Sequence, residues 1–534
     1  MVQRLGGTGS GAGTGWRRGI DRRRGPAESA PKRTATESSA TAEISIGSDS
    51  VKRTGLIPYP CFIHGLEVGW DAATWLELVD PSTGESFAQV PEADQVLVDQ
   101  AVRSAHDALP AWRGLPGSER AAKLHALAAN LRSEEEAFAA LLMREAGKTW
   151  EAALNEVHSA AALLDYFAEE GQRLVGHLPM LGNPRQQVLV VREPVGVVAA
   201  ITPFNYPLST LIVKLAPALA VGCTVVAKPD EHTPLSTIKL AQLAVEHGLP
   251  PGAFNVVTGS GPVTGSLLVN HPIPRLIAFT GSTAVGKIIQ SAAASYVRRT
   301  ILELGGHCPA IICADADWQT QLPQIVGQIF KHSGQYCYRI SRLLVARPLI
   351  RAVMKALVKT ASQLKVGPAG EAGTTLGPLN HSEILQKVTL QVETAIAQGA
   401  QLVLGGSPLT IPGYEGGFYY PATILTDVQA DAAIMREEVF GPVVLVQPFE
   451  DMDQAIDLAN ATPYGLAAYL FSGNLGNALE GANRLECGSV WINGIHQAFP
   501  EAPFGGMKES GLGREKSRFG IEEYTELKTI YLSY

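Results

Sequence analysis

With 534 residues, 46% of them hydrophobic, the chain can bury a large core and is long enough for two or more domains. A formal net charge of -8 excludes nucleic acid as a main partner, because phosphate backbones are bound by basic faces, and leaves a small molecule as the better expectation. Six cysteines, Cys61, Cys223, Cys308, Cys313, Cys337 and Cys487, lie without CxxC spacing, which excludes a disulfide framework or a structural metal and fits a reducing compartment, the cytoplasm.

In chain order, residues 1–50 are rich in Gly, Ser, Thr and Arg, with little apolar periodicity, and read as a disordered extension. They lack the apolar core of a signal peptide; their Arg and Ser bias resembles a transit peptide only faintly, and a flexible tail or an early start codon are the plainer readings. From about Glu92 to Glu170, Ala and Leu recur at three-to-four spacing, which predicts helices. Beyond Gln187 short apolar runs, VLVVREPVGVVAAITPFN, CTVVAKPDEHTP, FNVVTGSGP and LIAFTGS, alternate with helical stretches such as STLIVKLAPALAVG. That alternation predicts βαβ units, hence an α/β fold with a doubly wound, Rossmann-like parallel sheet. The most apolar stretch, Leu211 to Ala227, contains Lys214, Pro217 and Gly222 and does not suit a membrane span. A second α/β region begins near Leu302 with PAIICADAD and SRLLVARPL.

Ligands of such sheets sit beyond the carboxyl ends of the strands, where the loops TPFN, KPDE, TGSGP and FTGSTAVGK are expected. The two glycine-rich loops, at 258–265 and 279–287, could cradle a pyrophosphate at a helix start, though neither matches G-x-G-x-x-G and either could be plain turn chemistry. In KPDE, Lys228 and Glu231 could hold a ribose, the carboxylate favouring NAD over NADP, or could form only a solvated ion pair. Cys337 in GQYC could be a nucleophile or a small buried hydrophobe. Glu303 in LELGG, thirty-four residues upstream, favours the former, since a carboxylate before two glycines could serve as general base.

Taken in order, ITPFN, KPDEHTP, FTGSTAVGK, LELGG, GQYC, EEVFGPV and PFGGMKESGLGRE resemble the aldehyde dehydrogenase superfamily, from about residue 55 to Tyr534. The resemblance implies NAD(P)-dependent oxidation of an aldehyde to the carboxylic acid through a cysteine thiohemiacetal and thioester. It implies Cys337 as nucleophile, Glu303 as base and Asn205 as oxyanion donor, with no metal. Thr202, Pro203, Lys228, Glu231, Gly261, Ser282, Val285, Glu438 and Phe440 would line the cofactor site, with NAD preferred and NADP possible. Residues 51–171 and 195–302 would form the cofactor domain, 303–495 the catalytic domain, and 172–194 with 520–534 the arm of a homodimer or homotetramer.

Two alternatives stay open. A CoA-acylating relative would pass the acyl group to CoA rather than water, but such members generally lack the glutamate of LELGG. Arg339, two residues past Cys337, could receive the anionic end of a semialdehyde or phosphorylated aldehyde, or be held in a structural ion pair. Tyr206, Tyr336 and Tyr338 suggest an aromatic wall suited to an apolar or modest-sized aldehyde.

Overall fold

The computed structural model describes residues 55–183, 185–497 and 499–534; the extension read as disordered, 1–50, lies outside them. Two sheets carry the fold. The first has eight strands in the order Gly511–Leu512, Arg299–Glu303, Leu276–Thr280, Val197–Ile201, Thr224–Lys228, Phe254–Val256, Cys61–Ile63 and Leu66–Val68. Its five central strands are parallel. From Val197–Ile201 the chain winds outward to one side through the strands at 224 and 254, then returns to add those at 276 and 299 on the other. The reversal places a switch point between Val197–Ile201 and Leu276–Thr280, where loops diverge and leave a crevice.

These strands are continuous apolar runs because both faces are covered. Val198, Ala200, Val225 and Ala227 share one core cluster with Leu211 and Leu215, while Val197, Ala199 and Val226 share another with Val98 and Val102. Each buried Val or Leu contributes about 1.5–3 kcal/mol, so the alternating strand faces hold helices on both sides of the sheet. The helix Gln95–Gly114 starts where Asp94 accepts the backbone N–H of Val96 and Leu97, each at 3.0 Å. The helix Pro207–Val221 is buried along its length and stops at Gly222, whose φ of 102° is the left-handed conformation a helix end favours.

The second sheet has seven strands: Gln401–Leu404, Thr423–Thr426, Val443–Phe449, Ile340–Ala346, Cys308–Ile312, Ala467–Phe471 and Ser489–Ile492, parallel except for the first. The doubly wound α/β architecture expected from the apolar runs is therefore present, and twice. One run divides, however. VLVVREPVGVVAAI breaks at Gly196, φ 121°, into an outer strand, Gln186–Pro194, and the sheet strand Val197–Ile201. The outer strand pairs antiparallel with the C-terminal strand Thr525–Ser533, from Thr525 opposite Pro194 to Ser533 opposite Gln186. Among the described residues no helix is long and apolar enough to cross a membrane.

Candidate active site

Four loops leave the carboxyl ends of adjacent parallel strands on one edge of the first sheet, after Ile201, Lys228, Val256 and Thr280. Parallel pairing thus gathers Thr202, Pro203, Lys228, Glu231, Gly261, Ser282 and Val285 along a single rim. Thr202 is buried and its hydroxyl has no partner within the protein, so it is free for a ligand. Lys228, also buried, lies 3.4 Å from the carboxylate of Glu231 and donates to the Pro229 carbonyl at 3.0 Å, while its stem runs past Gly265. The lysine of the pair is therefore buried, while the carboxylate of Glu231 stays partly exposed. Ser282 caps the twelve-residue helix Thr283–Ala294 by accepting the Val285 N–H at 3.4 Å, and no acidic residue occupies the first turn. Its free N–H groups and positive dipole end suit a phosphate. Gly261 opens a π-helical turn, and a side chain there would meet open space. A nicotinamide dinucleotide fits this edge: an orphaned hydroxyl, a ribose-sized cation and carboxylate pair, and a bare helix start are the groups it needs.

Cys337 lies at the entry to the second sheet, three residues before the strand Ile340–Ala346. Its segment is tightly bent: His332 and Ser333 adopt φ of 50° and 52°, and Gly334 follows at 72°. Non-glycine residues pay about 1–3 kcal/mol each for such conformations, which persist only where surroundings over-determine them. Here Ser333 donates to the Gly377 carbonyl at 2.6 Å, and the Gln335 side chain accepts the Asn380 N–H at 2.8 Å. Gly334 itself is required, because a Cβ there would collide with the Gly441 carbonyl. Asn205 reaches across from the first sheet and donates its side-chain amide to the Gln335 carbonyl at 2.8 Å, leaving its second N–H for another acceptor.

The glycines of LELGG explain how the remaining motifs meet. A Cβ on Gly306 would crowd the Cys337 carbonyl, and one on Gly305 would crowd the Glu438 carboxylate, which accepts the Gly306 N–H at 2.9 Å. Phe440, two residues on, packs edge-to-face on Phe204 of ITPFN, with ring centres 5.7 Å apart. The loops bearing Asn205, Glu303, Cys337, Glu438 and Phe440 are thus in contact. Cys337 is partly exposed, unlike buried Cys61, Cys223, Cys308 and Cys313. Burial, then the neighbouring Glu438, Cys308 and Glu303, push its thiol well above the usual range, so thiolate must be generated in the site.

Glu303 ends the strand Arg299–Glu303 on the same rim; it is 3% exposed, and neither carboxylate oxygen has a partner within the protein. Burial, then Glu515, raise its pKa well above the carboxylate range, with Lys214, Arg514 and Lys516 pulling the other way. Lys214 and Glu515, which sequence reasoning missed as site residues, form a buried ion pair, and Lys214 also donates to Thr280 at 2.6 Å. The available signal was a lysine inside an otherwise apolar helix, which is tolerated only with a partner.

Arg339 corrects an expectation. Its guanidinium is 3% exposed and donates to the carbonyls of Val439, at 2.7 and 3.1 Å, and Val443, at 2.7 Å. Among the described residues no structural ion pair engages it; its planar fork of donors is spent on backbone acceptors left over where the EEVFGPV turn enters a strand, which turns it from any substrate anion. The aromatic wall is present in part. Tyr336 is buried and donates to the Gln328 carbonyl, whereas Tyr338 stacks at a tilt on His496, with ring centres 4.0 Å apart, and meets Phe504 edge-on.

Comparison with known proteins identifies the family and the fold. The model of the aldehyde dehydrogenase family matches residues 70–530. A 3-sulfolactaldehyde dehydrogenase of Pseudomonas putida is 37% identical over 482 residues, covering 90% of this chain and 98% of that protein. A betaine aldehyde dehydrogenase of Staphylococcus aureus, solved with NAD+, superimposes with a TM-score of 0.87 at 35% identity, covering 89% of this chain and 95% of its own. An E. coli NADP-dependent enzyme superimposes with a TM-score of 0.86 at 36% identity, covering 90% and 98%.

Proposed function

The chain belongs to the aldehyde dehydrogenase family, and from that premise we propose that Cys337 is its nucleophile, Glu303 its general base and Asn205 its oxyanion donor. The reaction is NAD(P)-dependent oxidation of an aldehyde to its carboxylic acid. The observation that carries the residue assignment is the buried, unpartnered carboxylate of Glu303, ahead of two glycines of which Gly305 abuts the Glu438 carboxylate and Gly306 the Cys337 carbonyl.

Sγ of Cys337, once deprotonated, adds to the aldehyde carbon. The oxyanion so formed accepts the free N–H of the Asn205 amide and the backbone N–H of Cys337, each such donor being worth about 3–4 kcal/mol in the transition state. The Gln335 carbonyl, by holding the other amide hydrogen, keeps Asn205 aimed. When bound, NAD(P)+ supplies the hydride acceptor. Glu303 then takes a proton from water, which attacks the thioester carbon and releases the acid and the thiolate; a positioned base contributes roughly 10²- to 10⁴-fold. Its raised pKa makes it the stronger base once ionised, and the nearby Lys214, paired with Glu515, offsets part of that charge.

Thr202, Pro203, Lys228, Glu231, Gly261, Ser282, Val285, Glu438 and Phe440 are assigned to the cofactor. The division into 51–171 with 195–302, 303–495, and 172–194 with 520–534 belongs to the same reading. So do assembly through the paired outer strands, whose Leu527 and Tyr531 are exposed, and a cytoplasmic location, which six unpaired cysteines suit. The P. putida relative acts on a sulfonated aldehyde and the S. aureus relative on a cationic one, so family membership leaves the substrate's charge open. Cys337→Ala tests the core of the reading: aldehyde-dependent NADH formation is expected to vanish while NAD+ affinity changes little, and substantial residual turnover would remove the nucleophile.

A further inference from the structure

We propose that this site takes an aldehyde whose far end is an anion, a carboxylate or sulfonate, and that Lys331 receives that end; the proposal rests on Cys337 being the nucleophile. Lys331 opens the bent segment six residues before Cys337. Its ammonium lies 4.9 Å from the ring centre of Tyr336 and 5.6 Å from that of Tyr338, the two residues flanking the nucleophile. Of the nearby lysines, Lys148 pairs with Glu156 at 2.6 Å and Lys214 with Glu515, whereas Lys516 lies over the Phe504 ring with no carboxylate of the described residues in ion-pair distance. Among the described residues Lys331 has no carboxylate within ion-pair distance and no hydrogen-bond acceptor. Burial, then Lys148, push it down to about 8, which leaves it mostly charged at neutral pH and uncompensated.

Two further groups point the same way. His332 Nε2 and His496 Nδ1 are buried without partners, the first ring edge-on to Tyr206 and the second against Tyr338. Burial and the nearby lysines hold both imidazoles neutral, His496 at about 2, so each can turn an N–H toward an anion without a change of charge. The aromatic faces, meanwhile, are already covered by ammonium groups. Lys148 sits 3.3 Å over Tyr206, Lys331 covers Tyr336 and Tyr338, and Lys516 lies 5.1 Å over Phe504. A quaternary ammonium substrate needs those faces and would meet three like charges instead. A neutral alkanal would leave the Lys331 charge unanswered, whereas an anion answers it with a charge-assisted hydrogen bond.

The test uses the full chain with NAD+ and four aldehydes: succinic semialdehyde, 3-sulfolactaldehyde, butanal and betaine aldehyde. At least one anionic aldehyde is expected to exceed butanal and betaine aldehyde in kcat/KM, and which of the two does so names carboxylate or sulfonate. In Lys331→Met the ratio of the preferred anion to butanal should fall roughly 10- to 100-fold, chiefly through KM, with most of it restored in Lys331→Arg. A wild-type preference for butanal or betaine aldehyde would overturn the proposal. So would an unchanged ratio in Lys331→Met, or a ratio that falls equally in Lys331→Arg, which would mean packing rather than charge. No NADH from any of the four would overturn the reading of the site itself, and this proposal with it.

Discussion

Replacing Glu303 by Gln keeps the side chain's shape and removes its charge, and function and stability should respond in opposite directions. The wild-type carboxylate is buried with neither oxygen hydrogen-bonded, beside the like-charged Glu515. An unsatisfied buried polar group costs about 1–3 kcal/mol, and a charged one more. Its folded pKa is raised above the unfolded value, so the fold holds this proton better than the open chain does; stability is full below the unfolded pKa near 4.5 and is lost as pH rises through the folded value. Glu303→Gln removes that loss. Its melting temperature should match the wild type in acid and exceed it at alkaline pH. Turnover should fall by roughly 10²- to 10⁴-fold, because the water attacking the thioester has lost its base. Rapid mixing should still give a burst of about one NADH per site, since acylation does not need that water, followed by slow steady-state release. Normal steady-state turnover would show that another group activates the water. A variant less stable than wild type at high pH would show that the carboxylate is a structural partner.

Gly334→Ala should cost several kcal/mol, through strain at φ 72° and collision with the Gly441 carbonyl, and displace the Cys337 loop; a melting curve and a thiol-labelling rate both read it. Arg339→Met strands the carbonyls of Val439 and Val443, so it should lower stability by about 3 kcal/mol or more while leaving the order of preference among aldehydes unchanged. A changed order would return Arg339 to the substrate. Because burial lifts both the Cys337 thiol and Glu303, the reactive forms gain with pH: kcat/KM, set by acylation, should climb toward alkaline pH with the thiolate, and kcat with Glu303 where hydrolysis limits; a flat kcat/KM profile would contradict the first assignment and a flat kcat profile the second.

How much of this was legible depends on which physical signal each feature leaves. The strands at 197, 224, 254 and 276 were plain, since segments covered on both faces must be apolar throughout and must end in turn residues. The break at Gly196 leaves no signal in the run itself, because an exposed paired strand and a buried one both read as Val-rich; it entered only as the boundary at 194/195 that the family resemblance implied. The glycines of LELGG had a visible pattern but no visible cause until Cys337 and Glu438 were seen to close on them from two directions. Arg339 misled because nearness along the chain does not say which way a side chain leaves a turn. Lys331, farther from Cys337 in sequence, lies over its neighbours' rings. The pairing of Lys214 with Glu515 joins residues 301 apart, and no periodicity reports on a contact of that range.

That same separation bears on how the protein is made. The strand Gly511–Leu512 completes the edge of the first sheet beside Glu303, and Thr525–Ser533 pairs with a segment made more than 330 residues earlier. A nascent chain still lacking its last few dozen residues therefore carries Cys337 and Glu303 without the partner of Lys214, and with a long open strand at Gln186–Pro194. Such an unpaired edge is open to mispairing until Thr525–Ser533 closes it.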